Sequence, residues 1–131
     1  LGADGYDSAT IVSLAGGAAN LNDVYFTNHY SSADTSEAVV KFVNAFKDAN
    51  NGAEPNAFNA LGYDMGKFIC DAIKRAGSTD SAAVKAALEA TEGFKAVTGD
   101  FSIDDNHDPV KDTVVIRFVD GEQTFVTKTG A

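Results

Sequence analysis

Apolar positions along this chain follow two different periods, and the change between them predicts its architecture. Val39, Phe42, Val43 and Phe46 recur at i, i+3, i+4 and i+7, which makes one apolar helix face. Thr35 or Ser36 is suited to cap that helix, and Asn51-Gly52 ends it. Pro55 precedes a longer helix with Asn56 at its cap, and Phe58, Leu61, Met65, Phe68, Ile69, Ala72 and Ile73 keep helical spacing. Lys74 and Arg75 fall in its last turn, where cations meet the negative helix end, and Gly77 is the expected residue just past it. A third helix is predicted from Asp80 or Ser81, with Ala83, Val84, Ala87 and Leu88 on its apolar side and Gly93 closing it.

Beyond Gly93 the period becomes two. Phe101 and Ile103 alternate with polar residues, and residues 104–108 form a turn cluster before Pro109. A strand is predicted over 113–118, a hairpin turn at Asp120-Gly121, and a return strand over 124–126. At the other end, residues 1–3 finish a strand and Asp4-Gly5 turns the chain. Asp7 or Ser8 then caps a short helix to about Leu14, stopped by Gly16-Gly17. Val24, Tyr25, Phe26 and Thr27 are a β-prone run. The resulting order is strand, helix, strand, three helices, then strands, an α/β pattern with a largely antiparallel end.

Charge narrows the function. The chain has 19 acidic and 10 basic residues in 131, a net charge of -9. Such a surface repels phosphate backbones and anionic lipid headgroups, so nucleic acid is not an expected partner. Hydrophobic content of 44% is enough for a globular core, and no apolar run approaches the length of a bilayer span. The single cysteine, Cys70, allows no internal disulfide and is expected to be a buried small hydrophobe on the long helix. The chain opens at Leu1 without Met or a signal-peptide pattern, which reads as a fragment of a longer protein.

Few residues point to chemistry. Asp4 follows a predicted strand, and ligands of open α/β sheets bind outside the carboxyl ends of strands. A carboxylate there can grip an ammonium group; the plain alternative is a turn aspartate. Tyr6 and Phe58 are candidates for pocket walls, with core packing as the alternative for Phe58. His29 and His107 have no Cys or His partner at metal-ligand spacing, and both are expected at the surface or at a hinge. Asp104, Asp105, Asn106 and Asp108 faintly suggest a calcium loop, but Pro109 and Val115 occupy its obligatory Gly and Glu places. No phosphate loop or nucleophile elbow is present, so neither a metal nor a cofactor is expected.

Several stretches together resemble one family. They are Tyr25-Phe26-Thr27-Asn28-His29-Tyr30, Ala60-Leu61-Gly62-Tyr63-Asp64, the run from Asp71 to Asp80, Val97-Thr98-Gly99, and Asp104-Asp105-Asn106-His107-Asp108-Pro109-Val110-Lys111. In this order and spacing they resemble the last third of the leucine/isoleucine/valine-type periplasmic binding proteins, the solute receptors of ABC importers. His107 stands where many members have Gly.

The resemblance implies a C-terminal portion of a type I periplasmic-binding-protein fold, two α/β lobes closing over a cleft, incomplete on its own. It divides the chain into 1–23 in the second lobe, 24–103 in the first and 113–131 returning to the second. It gives Asp4 the ligand's α-ammonium, with Tyr6 and Phe58 shaping the wall, and no catalytic residue. The implied partners are an amino acid and the importer's membrane subunits. The implied location is the periplasm or outer cell surface, with or without a lipid anchor. Exposed apolar faces would lead the isolated chain to pair with another copy or with the missing N-terminal part. Competing readings are a related receptor for amides, urea or another small solute, a hydrolase using Asp4 or His29 as base, and a standalone interaction module.

Overall fold

The computed structural model describes residues 1–130. Its elements in chain order are α1 (Ile11–Leu14), β1 (Val24–Asn28), α2 (Glu37–Ala49), α3 (Ala57–Ala76), α4 (Ser81–Glu89), β2 (Ser102–Ile103), β3 (Pro109–Val110), β4 (Thr113–Val119) and β5 (Glu122–Thr129), with short 3-10 turns at Asp4–Tyr6 and Ala18–Leu21. No helix among the described residues is long and apolar enough to cross a membrane.

β1, β4 and β5 form one antiparallel sheet in that order. Gly2 adds a single parallel bridge to Phe26 on the outer edge of β1, the strand end expected over 1–3. β4 alternates as its sequence predicts, burying Val114, Ile116 and Phe118. Phe26 and Phe118 stack with ring centroids 5.3 Å apart, and Leu21, Ile11, Val12 and Ala15 close this core from α1 and the turn after it. The hairpin turn between β4 and β5 needs left-handed backbone at both central residues, and Asp120 and Gly121 have φ of 50° and 81°. A Cβ on Gly121 would sit 2.7 Å from Ala18 Cβ, so this position admits only glycine. β5 runs longer than the expected 124–126 because its ladder with β4 continues to Thr129 past a bulge.

A second core lies among the helices. Val39, Phe42 and Val43 of α2 pack with Tyr30, Ala57, Ala60 and Val97. α3 starts at a reciprocal cap, where Asn59 N–H donates to Asn56 and Asn56 N–H donates to Asn59, and it ends at left-handed Gly77. α4 begins at Asp80, whose carboxylate accepts from Ala82 and Ala83 N–H. Its last residue is Glu89, earlier than the predicted close at Gly93.

β1 pairs with β4 along its whole length, so residues 24–28 share a sheet with the tail. Cys70 is exposed, not buried as its apolar neighbours in sequence suggest.

Candidate functional site

The chain leaves the sheet directly after Gly2, whose N–H and C=O pair with Tyr25 and Thr27 of β1. It then tightens into the Asp4–Tyr6 turn, held by Tyr6 N–H to Ala3 O and Asp7 N–H to Asp4 O. Asp4 therefore stands just past the carboxyl end of a sheet position, where α/β sheets present ligand-binding groups. Its side chain is 40% exposed. Oδ2 lies 3.2 Å from Nε2 of His29, the first residue after β1. Oδ1 has no protein partner among the described residues. Tyr6 lies over Gly2 and packs beside Phe26, with ring centroids 6.2 Å apart. A Cβ on Gly2 would come within 2.7 Å of the Tyr6 ring, so the missing side chain is what seats that ring.

Phe58 is on the first turn of α3 and half exposed. It belongs to neither buried core, contrary to the packing alternative. The link between α3 and the Asp4 turn is Asp7, which sequence patterning read only as a possible helix cap. Asp7 Oδ2 accepts from Ala57 N–H at 2.7 Å, so the residue after Tyr6 binds the residue before Phe58. α1 itself starts later, at Ile11, without a side-chain cap.

A second buried carboxylate stands in the middle of α3. Asp64 accepts from the consecutive N–H groups of Val97 and Thr98 at 2.9 and 2.8 Å. Lys111 donates to the Thr98 carbonyl and hydroxyl, both at 2.8 Å. Burial pushes the Lys111 ammonium below its usual value, and the negative Asp64 acts in the opposite direction. These groups border an apolar cleft of about 290 Å³ formed by Leu61, Met65, Phe68, Phe101 and Ile103, with His29 at its rim. Asp64 and Lys111 are both occupied by protein partners, so the cleft offers no free charged group from them.

The remaining sequence candidates have structural roles. Asp104 accepts from Asn106 and Asp108 N–H, closing the expected turn. His107 adopts φ of 68°, the left-handed conformation that glycine favours, and its Nε2 lies 2.8 Å from Glu89. No group of three His, Cys, Asp or Glu among the described residues is arranged to hold a metal ion.

One ion pair joins the chain beyond β1 to the tail. Lys128 of β5 contacts Asp34, which also accepts from Ser36 N–H at 2.8 Å. Burial acts to raise the Asp34 carboxyl, but the bonds from Lys128 and Ser36 outweigh it and hold the group below its usual range. A carboxyl depressed in the folded state stabilises above its unfolded pKa, and that stability is lost as pH falls through the folded value. Lys128 is 43% exposed, so the pair is worth under about 1 kcal/mol. Thermal melts from about pH 5 to pH 3 should show a shallower acid loss in Asp34→Asn than in the parent sequence. Identical acid profiles would contradict this assignment.

Comparison with known proteins places the geometry in context. The sequence model of the family described as "Periplasmic binding protein" matches residues 1–123. Leu/Ile/Val-binding protein homolog 1 of Brucella suis biovar 1 is 35% identical over 108 residues, which is 81% of this chain and 27% of that protein. The crystal structure of the leucine-binding protein LivK of Thermotoga maritima superimposes with a TM-score of 0.85 at 33% identity, covering 98% of this chain and 36% of that one. The branched-chain amino-acid substrate-binding protein LivJ of Streptococcus pneumoniae, solved with isoleucine, gives 0.82 at 29% identity over 97% of this chain and 36% of its own. The fold is thus a portion of the type I periplasmic-binding-protein fold, and the chain spans about a third of these relatives' length.

Proposed function

This chain belongs to the periplasmic binding protein family, and from that premise we propose that it is part of an extracytoplasmic receptor that binds an amino acid for an ABC importer. The observation that carries this reading is the Asp4 carboxylate. One oxygen is held by His29 and the other is open, at the edge of the sheet where a ligand ammonium can reach it. Tyr6, seated over Gly2, and Phe58, exposed at the start of α3, supply apolar surface for the ligand's side chain. The names of the relatives favour a branched-chain ligand. Binding without covalent chemistry is supported by His29, whose Nε2 faces a carboxylate and not a hydroxyl or thiol.

We put the boundary between the two lobes' pieces after Asn28, because the pairing of β1 with β4 keeps residues 24–28 with the tail. The helical body then bears an unpartnered apolar face. Met65 and Ile69 of α3 are both exposed, four residues apart on one side of the helix. In the full-length protein the remaining chain would cover it. Produced alone, the 131-residue chain should bind an apolar-surface dye and self-associate in sedimentation. A dye-silent monomer would contradict this.

Calorimetry of the full-length protein against leucine, isoleucine, valine, acetamide and urea tests the ligand class. Saturable binding of at least one amino acid, with none of acetamide or urea, is expected. Binding of the amide or urea alone would move the protein to the related small-solute receptors.

A further inference from the structure

Asp7 is only 8% exposed, and it lies one residue past the Asp4–Tyr6 turn. A carboxylate at that depth is tolerated when its oxygens are well hydrogen-bonded. Oδ2 accepts from Ala57 N–H at 2.7 Å and Asn28 Nδ2 at 3.1 Å, and Oδ1 accepts from Gln123 Nε2 at 3.0 Å. The donors belong to three separate elements. Asn28 ends β1, Ala57 begins α3, and Gln123 is near the start of β5.

These elements belong to different bodies. The sheet core around Phe26 and Phe118 shares no residue with the helical core around Phe42 and Ala57. The turn that ends at Tyr6 hangs from the sheet, and Phe58 rides on the helical body. Between them, Asp7 supplies a buried polar bond where the two apolar cores do not merge. Ala57 is fully buried, so its N–H has no recourse to water if the carboxylate is removed. The Asp7 charge also meets the positive end of a 20-residue helix.

We propose that Asp7 is a positioning residue of the ligand site, fixing the Asp4–Tyr6 turn against the first turn of α3 and so setting Phe58 relative to Asp4. This rests on the assignment of Asp4, Tyr6 and Phe58 to the ligand. Binding groups must be held within about 0.5 Å to work together, and one shared carboxylate is a rigid way to do so. Asn can replace Asp7 geometrically. Its carbonyl oxygen can still accept from Ala57, and its amide can face Gln123, whose own amide can rotate to present oxygen.

The test is amino-acid affinity in the full-length protein, by calorimetry with leucine, isoleucine or valine, whichever binds the unmutated protein. Thermal midpoints are measured alongside. Asp7→Ala should weaken binding by at least about tenfold, and Asp7→Asn should restore it to within about threefold. Gln123→Leu, on the exposed edge strand, should weaken binding several-fold with little change in midpoint. If Asp7→Ala does not fold, Gln123→Leu decides. A lowered midpoint with unchanged affinity in the folded variants means a structural role only, and it overturns the proposal. Asp7→Asn as weak as Asp7→Ala also overturns it. Failure of the unmutated protein to bind any of the three amino acids is a separate result; it removes the ligand assignment itself and this proposal with it.

Discussion

Asp4→Ala in the full-length protein is expected to cost amino-acid affinity about a hundredfold or more. In the structure as described, Asp4 is 40% exposed, and an ion pair at such a surface is worth under about 1 kcal/mol. The larger figure follows only if the bound ligand excludes water from the pair. Leaving an ammonium buried without its counter-charge then costs about 3–5 kcal/mol, and every 1.4 kcal/mol is a factor of ten in affinity. Asp4→Asn separates charge from shape, because an amide can still meet His29 but cannot neutralise an ammonium. It should bind nearly as weakly as the alanine variant. A loss below about tenfold in both would mean that the carboxylate stays in water when ligand binds.

The largest effect on stability is expected at Asp64. Its two oxygens satisfy two adjacent backbone N–H groups, Val97 and Thr98, and the residue is 4% exposed. Asp64→Ala leaves both donors buried and unpaired, at about 1–3 kcal/mol each, and removes the negative charge that acts on Lys111. A loss of about 3 kcal/mol or more in urea denaturation is the expected result. Asp64→Asn retains one acceptor oxygen and turns an NH2 toward the other donor, so it should recover only part of that loss. A change under about 0.5 kcal/mol in Asp64→Ala would show that the 97–98 segment finds other partners.

These two carboxylates differ in how far the sequence exposes them. The place of Asp4 in the fold is legible because its signal is local, a strand end followed by Asp-Gly and an aromatic residue. Those of Asp64 and Asp7 are not. Asp64 sits at an apolar helix position in a run that reads as ordinary periodicity, and its partners lie 33 and 34 residues away. Asp7 looks like a helix cap, while its donors are 21, 50 and 116 residues distant. Hydrogen bonds over such spans leave no periodic trace.

The same division applies to the fold. α2 follows from apolar spacing, although Ser36 makes no side-chain cap, α3 follows from spacing and its Asn56 cap, and the β4–β5 hairpin follows from Asp120-Gly121 and alternation. The partner of β1 does not. Its run of Val24, Tyr25, Phe26 and Thr27 marks a strand without saying which edge it joins, and only the ladder to β4 keeps it with the tail. The exposure of Cys70 is likewise hidden from the sequence. It neighbours Ile69 in sequence, and Ile69 itself is exposed on the uncovered side of α3.

A crystal structure of the full-length receptor with leucine bound would examine the ammonium-holding role at its source. The carboxylate at position 4 should lie within about 3.2 Å of the amino nitrogen, with Tyr6 and Phe58 against the aliphatic end. Leucine seated elsewhere, with that carboxylate facing bulk solvent, would contradict the assignment.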